Sequence, residues 1–160
     1  MKVQEKFTLD ASPDELWKVI QDIPAVAGCI PGVEEFAPLE DGVYRGTIKM
    51  KMGPLALNFK GEIKILSVDE EQRVLVMSGE GSDSKVASMA KMTQSLQVVP
   101  EEQGASIFIE ADVDLRGKLA SLGWGLIRPK VTSMTRDFAQ NLKTYLETGT
   151  PPVVIPSSTR

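Results

Sequence analysis

Between residues 33 and 116 apolar and polar side chains alternate with few interruptions, and from Gly117 the apolar spacing switches to three and four. A period of two belongs to strands with one buried face, and a period near 3.6 to an amphipathic helix. One long helix and many strands have few ways to bury both apolar faces. The helix must lie across the buried face of the sheet, and the sheet must curve around it. The expected fold class is α+β, a curved antiparallel sheet wrapped on a long C-terminal helix.

Val3, Glu5, Phe7 and Leu9 alternate with Lys2, Gln4, Lys6 and Thr8, which predicts a first strand. Ser12-Pro13-Asp14-Glu15 then combines an N-cap, a proline at the first helical position and the acidic partner of a capping box. Two short helices are expected here, the second over 24–28. Six more strands follow at about 33–39, 43–52, 55–67, 72–81, 86–99 and 105–116, making seven. The stretch Gly79–Ser84 reads as a hairpin turn rather than a phosphate loop, since it lacks the third glycine and the βαβ setting.

Two hairpins carry enough pattern to fix a register. Around Gly53-Pro54, pairing Met52 with Leu55 also pairs Met50 with Leu57, Ile48 with Phe59, Gly46 with Gly61 and Arg45 with Glu62. Around 100–104, pairing Val98 with Ile107 sets Leu96 against Ile109, Gln94 against Ala111, Met92 against Val113 and Lys91 against Asp114. Both registers send the apolar residues to one face.

Leu119, Leu122, Leu126, Met134, Phe138, Leu142 and Tyr145 give the closing helix its apolar stripe. Pro129 inside this run predicts a kink near Gly125–Arg128. Gly123, Gly125 and Pro129 mark the same segment as a hinge that gates the cup, so replacing all three by alanine is expected to raise stability and slow exchange of contents. Residues 1–147 are expected to form one domain, and 148–160 a proline-rich, poorly ordered tail.

A curved sheet closed by one helix encloses an apolar interior, and parity places Leu57, Phe59, Met92, Leu96, Ile109, Leu122, Leu126 and Met134 on it. Gln94 and Tyr44 fall on the same parity. A buried amide or phenol needs a partner, which a ligand, a neighbouring side chain or a water could supply. The chain has no histidine, and Cys29 is its single cysteine. The commonest general base is therefore missing, a thiol–zinc cluster cannot form, and Cys29 reads as a small buried hydrophobe. The net charge of −4 gives no overall attraction to nucleic acid. Asp69-Glu70-Glu71 and Glu101-Glu102 read as solvated turns. Arg116, Lys118, Arg128 and Lys130 form a basic cluster near the start of the long helix, either a solvated face or a docking surface for a partner or lipid headgroups. No apolar signal core or membrane span is found, which predicts a soluble, cytoplasmic chain.

The element order, with Cys29-Ile30-Pro31-Gly32, Lys51-Met52-Gly53-Pro54, Phe59-Lys60-Gly61 and Gly117–Gly123 in sequence, resembles the carbon monoxide dehydrogenase G-subunit family of the START-like, polyketide cyclase-like helix-grip superfamily. The resemblance spans about residues 1–147. It implies a hydrophobic small molecule as ligand, quinone- or fatty-acid-like, no other cofactor and no metal. It further implies service to a molybdenum hydroxylase of the carbon monoxide dehydrogenase type, with transient contact at the inner membrane face. The alternatives are a cyclase- or hydratase-type enzyme using Tyr44 or Gln94 to polarise a carbonyl, and an assembly or membrane-recruitment factor.

Overall fold

The computed structural model describes residues 1–150. In chain order the elements are β1 (Lys2–Leu9), α1 (Pro13–Gln21), α2 (Ile23–Ala27), β2 (Val33–Glu40), β3 (Val43–Met52), β4 (Leu55–Asp69), β5 (Val74–Asp83), β6 (Ser88–Glu101), β7 (Gly104–Gly117), α3 (Lys118–Ser121) and α4 (Trp124–Thr148). The seven strands form one antiparallel sheet in the order β1-β7-β6-β5-β4-β3-β2, so β1 and β2 are its edges. This is the helix-grip arrangement. Of the expected tail, residues 151–160 lie outside the described residues, and Thr148 is the last residue of α4.

Both hairpin registers hold along their full length. Met50 pairs with Leu57, Ile48 with Phe59 and Gly46 with Gly61, while Leu96 pairs with Ile109, Gln94 with Ala111 and Met92 with Val113. The Ser12 hydroxyl accepts the Glu15 amide at 3.1 Å and starts α1, and the Asp22 carboxylate does the same for Ala25 at the head of α2.

Three expectations need correction. Gly79 and Gly81 lie within β5, which continues to Asp83; the reversal comes at 84–87. Small residues there serve the sheet's bend rather than a turn. A Cβ on Gly61 would run into the backbone carbonyl of Glu80 in the next strand, a closeness that only glycine permits. Second, the closing helix breaks earlier than Gly125–Arg128. Gly123, at φ 82° and ψ 157°, separates α3 from α4, and Pro129 sits inside α4. That backbone region is essentially reserved for glycine, so Gly123 sets the break and the proline is tolerated downstream. Third, Glu70 is more than a solvated turn residue, because its carboxylate accepts the Trp17 indole N–H at 2.6 Å.

The core forms two clusters. The first joins α1 and α2 (Leu16, Trp17, Ile20, Val26), with Cys29 just beyond them, to Leu75, Met77, Leu96, Val98 and Ile107 of the sheet and to Leu142 of α4. The second gathers Met52, Leu57 and Phe59 of the β3–β4 hairpin with Leu119 of α3 and Ile127 of α4.

Candidate functional site

Along its 25 residues α4 buries only Ile127 and Leu142, one in each cluster. They are fifteen positions apart, about 22 Å at 1.5 Å per residue. Between them α4 is held toward the β1 edge. Thr132 donates to Glu5 at 3.2 Å, and the rings of Phe138 and Phe7 meet edge-on with centroids 5.9 Å apart. The inner face of the central strands is left with less cover. There Met92, Val113 and Met134 are partly exposed and belong to neither cluster. Met134 follows Ile127 by seven residues and precedes Phe138 by four, which turns it to the sheet side of α4.

The floor of this stretch is made of small side chains. Gly46, Gly61, Gly81 and Ala90 pair in one continuous row across β3, β4, β5 and β6. In the neighbouring row, Gly79 stands between Ile63 and Met92, and a Cβ there would sit 3.3 Å from the Met92 methyl. Glycine removes volume where a full side chain would otherwise close the space between sheet and helix. Between the two packed clusters the inner face of the sheet thus carries little side-chain volume.

The residues expected to line the interior are distributed unevenly over it. Met92 and Met134 both face the open stretch. Leu57 and Phe59 are buried in the second cluster, and Leu96 in the first, with Ile109 packed against it. They form the end walls rather than free lining. Leu122 packs against the second cluster. Leu126 departs from the expectation: it is 43% exposed, over the β3–β4 turn at Gly53. The restart of the helix at Gly123 shifts its phase, so that Ile127 takes the inward position. Tyr44 stacks on Phe36 at 5.3 Å and 14° against the first cluster. Gln94 faces inward, and its Nε2 reaches only the Met77 sulfur, at 4.0 Å. The sequence pattern does not single out Val113, the glycine row, Glu5 or Thr132 as site residues, although Val113 and Glu5 stand on inward parity.

Two other regions bear on the chemistry. Cys29 is fully buried, and burial pushes its thiol up to about 11, which leaves it protonated near neutrality and unfit as a nucleophile. An open cleft of about 880 Å³ is lined chiefly by charged side chains of solvent-face parity, among them Glu62, Lys64, Glu80 and Asp112, and it also reaches Gly79 and Met92. Charged walls of this kind offer an apolar molecule no shelter from water, so this cleft is a poor site for one. No helix among the described residues is long and apolar enough to cross a membrane.

The curved sheet, the gripping helix and the apolar inner face define a START-like domain of the kind that holds hydrophobic ligands. The sequence matches the CoxG family, described as the G-subunit of carbon monoxide dehydrogenase, over residues 6–147, and the chain belongs to that family. Among solved structures, a conserved protein from Geobacillus kaustophilus superposes with a TM-score of 0.79 at 13% identity, covering 93% of this chain and 97% of the other. A START superfamily protein from Mycobacterium smegmatis gives 0.66 at 13% identity, with 93% and 99% covered. The Zhui aromatase/cyclase from Streptomyces sp. R1128 gives 0.56 at 13% identity, with 91% and 90% covered. At such identities the likeness is one of fold. No curated protein matches the sequence.

Proposed function

We propose that this protein is a carrier that takes up an apolar, quinone- or lipid-like molecule between sheet and α4 and delivers it to a redox enzyme of the molybdenum-containing carbon monoxide dehydrogenase type. The observation that carries the binding reading is the solvent-reached apolar stretch of Met92, Val113 and Met134 above a glycine floor. Apolar side chains left half-covered inside a fold are stabilised by about 25 cal/mol for each Å² of apolar surface that a ligand removes from water. Methionine suits contents of variable shape, because its thioether adapts to irregular contacts. The enzyme partner is inferred from family membership. For the delivery step, Lys118, Arg128 and Lys130 make no ion pair among the described residues, while Arg116 is engaged by Asp114 at 3.3 Å. These cations at the start of α3 and within α4 offer an anionic partner or headgroup a place to dock.

Native mass spectrometry of gently purified protein, followed by solvent extraction, tests the binding reading. An apolar adduct is expected with the parent and is expected to be lost when Gly79→Leu fills the floor. A parent that carries no adduct and takes up no added apolar fluorophore overturns it.

A further inference from the structure

Polar groups inside an apolar site decide what end of a ligand it accepts. The residues of β1 that face α4 are Val3, Glu5, Phe7 and Leu9, all partly or fully buried, whereas Lys2, Gln4, Lys6 and Thr8 are exposed. Glu5 therefore projects a carboxylate to the inner face, beside Ile109 in the paired strand. Thr132, two residues before Met134 on α4, donates its hydroxyl to Glu5 Oε1 at 3.2 Å. Among the described residues Glu5 takes part in no ion pair and accepts no other hydrogen bond. An ionised carboxylate accepts at two oxygens and about four lone-pair positions, so most of its capacity is unused. Gln94 stands one row further along, in the row Val3–Ala111–Gln94. Its amide makes a single contact, to a thioether, which is a weak acceptor.

We propose that Glu5, held by Thr132, is the polar end of the binding site, and that it selects a neutral amphiphile ending in a hydroxyl, an alcohol or phenol. This rests on the reading of the interior as an apolar ligand site. A ligand hydroxyl gives its hydrogen to the Glu5 carboxylate. An end that only accepts, such as an ether or the oxidised member of a quinone pair, leaves the carboxylate covered and unpaired, so of a quinone-like ligand the site holds the hydroquinone form. Covering it without a donor forfeits its water and returns nothing. A carboxylate end meets Glu5 as a like charge. Hydrogen bonds to charged groups correspond to roughly 10- to 100-fold in affinity, the preference expected for the hydroxyl end. The competing account is local: β1 is an edge strand, and an inward charge there also discourages pairing with another sheet.

The test measures 1-dodecanol, dodecyl methyl ether and dodecanoate by displacement of the neutral fluorophore N-phenyl-1-naphthylamine, with the intact protein. The parent is expected to prefer the alcohol over both others by about tenfold or more. Glu5→Leu is expected to abolish that preference while still binding the fluorophore and the ether. Thr132→Val, which keeps shape, is expected to reduce it in the same direction, and serves alone if Glu5→Leu does not fold. Equal affinities for the three in the parent, or an unchanged preference in the variants, would overturn the anchor and leave the apolar site standing. A parent that binds none of the four molecules overturns both.

Discussion

Asn141 of α4 donates its side-chain amide to the backbone carbonyl of Cys29, just beyond α2, at 3.0 Å and across 112 residues of sequence. The bond fastens the C-terminal half of α4 to the chain just after the two short helices, beside the first cluster. Asn141→Leu removes the donor and leaves a carbonyl without its partner, at a cost of about 1–3 kcal/mol. Denaturant unfolding should show a lower midpoint with an unchanged slope. Parent-like stability would mean that water satisfies the carbonyl equally well.

Burial of Cys29 makes a second measurable claim. Its thiol is raised from the ordinary 9.0 to about 11 in the folded state. The native protein therefore keeps this proton between those values while the unfolded chain loses it. With fewer protons on the unfolded state, stability falls as pH rises through that window. Thiol-reactive disulfide reagents at pH 8 should label the folded protein only at the rate of unfolding. Prompt labelling of native protein would show an exposed thiolate.

Asp83 works in the opposite pH direction. Its carboxylate accepts the Asn58 amide at 2.8 Å and those of Lys85 at 2.9 Å and Val86 at 3.3 Å, joining β4 to the β5–β6 turn. The Asn58 bond first, then those of the turn, hold it below the usual 3.8. The stabilisation is complete above that ordinary value and is lost as pH falls through the lowered native value. Asp83→Ala should therefore melt lower than the parent at pH 7, with the gap narrowing in strong acid. A gap that does not depend on pH would assign the loss to packing.

Much of this architecture is legible in the sequence because strand period and face are tied together. A slip of one residue would put Met50 and Leu57, or Leu96 and Ile109, on the solvent side, so the pattern leaves one register. Met92 and Met134 can be placed in the interior on the same grounds. Parity does not say which inward residues are packed and which are left uncovered, and so Leu57, Phe59 and Leu96 look like lining although they are core. Glu5 has the right parity, but a charge on a strand ordinarily marks the wet face. Its partner Thr132 lies 127 residues away, beyond the reach of any local pattern. The position of the helix break depends on the backbone angle at Gly123, which apolar spacing does not encode.

That angle changes what is expected of the hinge. Gly123, Gly125 and Pro129 look interchangeable as weak points, yet they occupy different backbone states. Gly123 stands at φ 82° with open space where a Cβ would go, so alanine there meets no neighbour but is strained in a backbone region that L side chains rarely adopt. The cost is about 1–3 kcal/mol. Gly125 is within α4 and also faces open space, so alanine should stabilise by about 0.4–1 kcal/mol through the unfolded state. Pro129→Ala restores a backbone donor inside the helix and should stabilise as well. The triple replacement thus mixes opposing effects and cannot raise stability as a simple sum. Leu119 is independently tied to Ser88, its amide donating to the hydroxyl at 3.0 Å, which fixes α3 to the sheet on the near side of the break at Gly123. Gly125→Ala with Pro129→Ala should raise the melting temperature and leave probe exchange nearly unchanged, whereas Gly123→Ala should lower the melting temperature and alter exchange. Stopped-flow release of N-phenyl-1-naphthylamine measures the exchange, and thermal unfolding the stability. Faster or slower release in the Gly125/Pro129 pair, with Gly123→Ala like the parent, would move the hinge back into α4.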